Sequence, residues 1–171
     1  INSTELGQLK TAAKDFIDSL GLTTTGIHAG KSSFATTGNL NHVLTSNSVT
    51  LKATIDALVS GGFTNLKAGI DLASAELAGG NDRADLTYPD KMIIITDGHP
   101  NRPLPSGTAP AAAKASADAA RAAGTEVFVV GVGSDVNTAY LQTVADNASH
   151  YFPVSNYSGL QTALQNLDLC D

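Results

Sequence analysis

The chain has 171 residues, of which 42% are hydrophobic and only 15% charged, with a net charge of −6. That length suits one domain able to bury roughly 70% of its unfolded surface, and the charged share falls well under the usual ~25%. With 10 Lys+Arg and no basic run the chain would be repelled by a phosphate backbone, which argues against nucleic acid as a partner, and no apolar run approaches the ~18 residues needed for insertion into a membrane. The start, Ile1-Asn2-Ser3-Thr4-Glu5, is polar and has neither an initiator Met nor a signal peptide, so the chain reads as processed or as beginning at an internal position. A surface of Ser, Thr, Asn and Ala is typical of extracellular and matrix proteins.

Asn2 to Leu20 has the period of an amphipathic helix, with Leu6, Leu9, Ala13, Phe16, Ile17 and Leu20 on one side. Asn2 and Glu5 fit a capping pattern, and Gly21 ends the helix. Thr23 to Ala29 and a stretch around Phe34 read as strands, and Leu40 to Leu44 as a short extended or turn segment. Helices follow at Val49 to Leu58 and Asn65 to Leu77, separated by Gly61-Gly62, with Thr64 as an N-cap for the second. Gly79 to Pro89 is a polar loop. Lys91 to Thr96 is almost wholly apolar, as in a parallel strand buried on both faces. Asp97 to Asn101 turns the chain, Pro103 to Gly107 is irregular, and Ala109 to Ala123 is an Ala-rich helix ended by Gly124. Glu126 to Val132 is a second buried strand. A helix at Asn137 to Asn147, a short strand at His150 to Val154 and a helix at Tyr157 to Leu167 complete the chain. The alternation predicts an α/β fold: three layers, doubly wound, a mostly parallel sheet with helices on both faces. Sites in such sheets lie at the carboxyl ends of strands, here Phe63 to Asn65, Asp97 to Asn101 and Gly131 to Asp135.

Few isolated motifs point to catalysis. Gly131-Val132-Gly133-Ser134-Asp135-Val136 lacks the third glycine and the later acidic residue of a dinucleotide loop, which favours a tight βα turn. His28, His42, His99 and His150 show no metal-ligand spacing, and only His99 sits beside an acid, Asp97, at a strand end. Asn2, Asn147 and Asn156 each begin an N-x-S/T sequon and are candidate glycosylation sites in a secreted protein. Cys170 is the single cysteine, either a free thiol or one half of a disulfide. Singly, Asp97-Gly98 is a turn and Thr64 a cap.

Taken together, Gly61-Gly62-Phe63-Thr64-Asn65-Leu66 with Ala68-Gly69-Ile70, and Ile93-Ile94-Ile95-Thr96-Asp97-Gly98-His99-Pro100-Asn101, resemble two signature segments of von Willebrand factor A-type domains. The similarity continues through Val127 to Gly133 and Tyr151 to Val154, and includes the first helix and Gly26 to Phe34. The resemblance implies a six-stranded sheet whose first, central strand ends in Asp-x-Ser-x-Ser. In the family those residues join a Thr and an Asp from two further loops around a divalent cation, usually Mg²⁺, and the matching positions here are Thr64 and Asp97. A partner's carboxylate completes the coordination. Terminal cysteines of secreted members pair with one just before the first strand, which would be the role of Cys170.

The chain has no first strand and no Asp-x-Ser-x-Ser, and Ile1-Asn2 matches the residues directly after that motif in the family. Residues 1–171 therefore read as a single von Willebrand factor A-like domain incomplete at its N-terminus. Loss of the central strand leaves a gap of about 10 Å and two rows of unpaired backbone groups. The strand is supplied upstream, or by another chain through strand addition, or the sheet is rearranged. Mg²⁺ (or Ca²⁺ or Mn²⁺) is expected only where the missing segment is supplied. The functional expectation is a secreted or cell-surface module, not an enzyme, that binds a protein ligand through an acidic side chain. The alternative is a structural subunit of an extracellular filament or matrix with a partial or inactive metal site. A nucleotide-binding enzyme is a third, weaker reading.

Overall fold

The computed structural model describes residues 1–83, 88–167 and 169. Helix α1 spans Ser3–Ser19 and opens on a complete capping box: the Asn2 side chain accepts from the Glu5 amide at 3.0 Å, and Glu5 accepts from the Asn2 amide at 2.7 Å. Gly21 comes next with φ 59°, the left-handed conformation that ends helices. The expected strand at Thr23 to Ala29 does not form. The Gly26 amide closes a turn on the Thr23 carbonyl, and the carbonyls of Thr24, Thr25 and Gly26 turn toward the Arg83 guanidinium. The β-branched threonines suit a strand, but this distant cation claims the carbonyls that a sheet would need.

Strand β1 is Ala29–Phe34 and β2 is Gly38–Thr45, longer than Leu40 to Leu44; they pair antiparallel through a tight hairpin. Helix α2, Ser48–Asp56, is capped by Asn47. Helix α3, Leu66–Leu77, is capped by Asn65, whose side chain accepts from the Ala68 amide at 3.2 Å. Thr64 is therefore not the cap expected from sequence; it stands one residue before the cap, Asn65. The expected loop at Gly79 to Pro89 lies partly outside the described residues.

Strand β3, Lys91–Thr96, pairs parallel with β4, Glu126–Val132, which pairs parallel with β5, Tyr151–Val154. Helix α4, Ala109–Ala122, buries Ala109, Ala113, Ala117 and Ala120, small residues that let it lie close to its neighbours. Helix α5 covers only Thr138–Val144. The chain turns extended at Ala145, and the Asp146 amide donates to the Val127 carbonyl at 2.8 Å, so the expected continuation to Asn147 gives way to a bond with β4. A 3₁₀ turn at Tyr157–Gly159 precedes α6, Leu160–Gln165.

The strands form two pieces, as loss of a central strand would leave them: the β1–β2 hairpin and the parallel order β3-β4-β5. Helices bridge them on both faces. On one, α1 packs Ala12, Leu9 and Phe16 against Ile93, Ile95, Phe128 and Val130, and sets Ile17 and Ala13 with Leu51, Ile55 and Ala29 of β1. On the other, α3 places Leu66 and Ile70 in the cluster of Met92, Ile94 and Val129, against which Phe34 of β1 also packs. Strand β1 rather than β2 supplies the residues of these clusters. Among the described residues β1 pairs only with β2 and β3 only with β4, while α1 and α3 pack against both pieces; this break between the two pieces is the rift. Ile93 and Ile95 stay half-buried where Met92 and Ile94 are buried. The rift lies where the sequence expects a central strand.

Candidate metal and ligand site

The carboxyl end of β3 carries the site. Thr96 is buried, and its hydroxyl bonds the Gly98 backbone on both sides, accepting from the amide at 3.4 Å and donating to the carbonyl at 3.2 Å. This turn presents Asp97 outward, with its side chain 40% exposed. The Ile1 nitrogen lies 3.4 Å from an Asp97 carboxylate oxygen, which puts the start of α1 beside the end of β3.

Thr64 reaches the same place from the loop before α3. Asn101 holds it there: its side-chain oxygen accepts from the Thr64 amide at 2.9 Å, while the amides of Asn101 and Arg102 donate to the Thr64 carbonyl at 3.1 and 3.3 Å. A Cβ added to Gly98 would meet the Thr64 hydroxyl at 3.4 Å, so the hydroxyl stands over the backbone next to Asp97. The Asn65 amide and side chain donate to the carbonyls of Ala35 and Thr36, tying this loop to the hairpin as well. Loops around Thr64 and Asp97 are thereby held together at one sheet end.

Tyr157 is buried beneath them. Burial pushes its phenol well above the ordinary range; the Asp97 charge, a hydrogen bond to the Asp97 carboxylate and the Glu5 charge push it the same way. The Arg102 guanidinium lies 3.6 Å over the Phe63 ring at the rim. Sequence reasoning missed Asn101, Tyr157 and the Phe63–Arg102 pair as site residues. Asn101 and Phe63 stood inside the two quoted segments, where their residue types gave no hint of a clamp; nothing near Tyr157 in sequence connects it with Asp97.

The other expectations fall elsewhere. Gly133, φ 88°, donates its amide to the Val154 carbonyl at 2.8 Å, as a tight turn between strand and helix does. His99 turns from Asp97 to set its ring edge-on to Tyr140 at 5.3 Å, and His150 stacks on Phe128 at 4.1 Å. Asn2, Asn147 and Asn156 are exposed, and their side-chain oxygens cap the backbone amides of Glu5, Ser149 and Ser158. Cys170 lies outside the described residues.

Thr64 and Asp97 offer two oxygen donors. Mg²⁺ demands near-octahedral coordination by oxygen, and among the described residues no group of three or more His, Cys, Asp or Glu comes together. Among the described residues, Thr64 and Asp97 alone would leave most of such a coordination shell to other ligands.

This combination of α/β layers with a Thr and an Asp-Gly loop at one sheet end defines a class. The von Willebrand factor type A family matches residues 1–166, and the chain belongs to that family. Among solved structures it is similar to proximal thread matrix protein 1 from the mussel byssus, with TM-score 0.81 and 22% identity over 96% of this chain and 42% of that one. A second structure of the mussel protein, TM-score 0.80, is described as having a zinc-occupied MIDAS motif, at the same identity and coverage. The von Willebrand domain of the type V pilus tip protein Mfa5 from Porphyromonas gingivalis matches with TM-score 0.79 and 14% identity over 94% of this chain and 86% of that one. The chain thus spans less than half of the mussel protein. Comparison with curated protein sequences finds no match. Among the described residues no helix is long and apolar enough to cross a membrane.

Proposed function

We propose that the protein is an extracellular binding module of adhesive or matrix type, which grips a protein ligand's carboxylate through a divalent cation held partly by Thr64 and Asp97. The observation that carries this reading is the Asn101 clamp, which fixes the Thr64 loop to the Asp97 loop at the mouth of the rift. A parallel strand entering the rift beside β3 would end at this mouth, next to Ile1. Such a strand, upstream or from another chain, would bring the remaining oxygen donors, and an Asp-x-Ser-x-Ser ending is the form the family gives them. It would also pair both free edges. In this arrangement Thr64 would offer its hydroxyl oxygen, and Asp97 its carboxylate, toward the cation. The matrix and pilus proteins among the similar structures support an extracellular setting.

The test is calorimetric titration of Mg²⁺ into the strand-complete protein, meaning the chain expressed with such a strand ahead of Ile1. Wild type binds; Asp97→Ala and Thr64→Ala lose binding, and Thr64→Ser keeps most of it. Equal affinity in wild type and Asp97→Ala contradicts the reading. No binding by wild type would leave the structural-subunit role.

A further inference from the structure

Arg102 is placed differently from most of the described cations. Lys14, Lys52, Lys67, Lys91, Lys114 and Arg121 each face a carboxylate. Lys10 donates to the Asp56 carbonyl and Lys31 to that of Thr54. Among the described residues Arg102 faces no carboxylate, in a chain whose net charge is −6. Its guanidinium is nevertheless held: stacked at 3.6 Å on Phe63, with Nη1 donating to the Asn101 carbonyl at 2.9 Å. Its backbone amide is bonded to Thr64, so the group is fixed to the loop that carries Thr64.

A guanidinium seated on an aromatic face and tied by one nitrogen keeps its Nε–Nη2 edge, a planar fork that matches a carboxylate with two parallel hydrogen bonds. Little freedom is left to lose when that fork is used. Phe63, under the guanidinium, is 49% exposed, and Leu104, two residues further along the chain, is 68% exposed, so exposed apolar side chains accompany the fork in this loop. We infer that Arg102, seated on Phe63, is a second carboxylate subsite beside the Thr64–Asp97 site. The ligand it fits is an extended protein segment with two nearby acidic residues, one for the cation and one for Arg102. Side chains beside the second acid would lie on Phe63 and Leu104. The inference rests on the proposed ligand-binding reading and adds the partner's charge pattern to it.

The probes are two synthetic peptides, Ac-Gly-Glu-Gly-Gly-Gly-NH₂ and Ac-Gly-Glu-Gly-Glu-Gly-NH₂, titrated into the strand-complete protein with Mg²⁺ and separately with a chelator. Binding is followed by NMR, including the Arg102 side-chain Nε–H signal. With Mg²⁺ the peptide with two glutamates binds about three- to tenfold tighter than the other, the range of a partly exposed but preorganised ion pair, and it shifts the Arg102 signal. In Arg102→Gln the two peptides bind within twofold of each other. Arg102→Lys, which keeps the charge but not the fork, and Phe63→Leu, which removes the seat, fall between. An undiminished preference in Arg102→Gln overturns the inference, as does a wild type that does not distinguish the peptides. The chelator arm separates this from the cation reading: a preference that needs Arg102 and is unchanged without Mg²⁺ keeps the second subsite and removes the metal.

Discussion

The two halves of the molecule are built to different standards. In the β3-β4-β5 half, Val127, Phe128, Val129, Val130 and Val132 of β4 are all within 1% of complete burial, with a parallel neighbour on each side. In the hairpin half, β1 has no fully buried residue, its register with β2 slips twice, and Leu40 and Val43 of β2 are about two-fifths exposed. Both halves have good local chemistry, including asparagine caps and a tight hairpin. The difference lies in what stands between them: β4 is flanked and β1 is not. Strand burial comes from neighbours, and the rift deprives both β1 and β3 of one.

The largest expected effect comes from that difference. Each buried backbone group left unpaired costs about 1–3 kcal/mol, and open edges recruit other chains. The chain Ile1–Asp171 alone is expected to aggregate or melt without cooperativity, with amides of β1 and β2 exchanging through openings far cheaper than those of β4. A strand supplied in the rift should bring the two sets of exchange free energies together. A monomeric, cooperative chain with equal protection in both halves and no added strand would erase the comparison.

A smaller effect sharpens it at two glycines. A Cβ on Gly69 would meet Phe34 Cδ1 at 2.5 Å and Cβ at 3.3 Å, so Gly69→Ala must displace the Phe34 side chain or the β1 segment that carries it. A Cβ on Gly131 would meet the Tyr151 hydroxyl at 2.8 Å and Leu141 Cδ1 at 3.0 Å, at the heart of the parallel half. Each substitution is expected to cost about 1–3 kcal/mol as overpacking. Gly69→Ala should lower exchange protection chiefly in β1 and β2, whereas Gly131→Ala should lower it throughout. Identical protection maps would show the halves to be one cooperative unit.

Legibility in the sequence divides along the same line. Helix α1 is readable from Asn2, Glu5 and its apolar period, and β3 and β4 from unbroken apolar runs, because those signals are local. The Thr23 to Ala29 segment reads wrongly as a strand because Arg83, far along the chain, takes the carbonyls. Asn65 rather than Thr64 caps α3 because the Asn101 clamp draws Thr64 toward β3. Family resemblance draws attention to Thr64 and Asp97, but Asn101, Tyr157 and Arg102 act through contacts between loops that no spacing encodes.

The smallest effect is electrostatic. Burial, and then the neighbouring Lys10 charge, lower the Lys31 pKa on β1 from 10.5 to about 8. Below about pH 8 both folded and unfolded chains carry the proton, and the folded state bears the full desolvation cost. Between about 8 and 10.5 the unfolded state binds more protons, so this contribution makes stability rise with pH. Lys31→Met should therefore stabilise the strand-complete protein at pH 7 by about 1 kcal/mol, the shift being discounted for a half-buried group. At pH 9 the gain should be smaller, as read from denaturant melts at both values. An equal gain at the two pH values would place the cause in packing rather than in the buried charge.

The most direct test of the central claim, that the rift receives a strand and thereby completes a cation site, is the thermal midpoint with and without Mg²⁺ for the chain alone and for the strand-complete protein. A cation bound only by the folded state stabilises it by mass action, about 2.7 kcal/mol at one hundred times Kd. The account predicts a rise with Mg²⁺ in the strand-complete protein and none in the chain alone. A rise of equal size in both, or in neither, would contradict it.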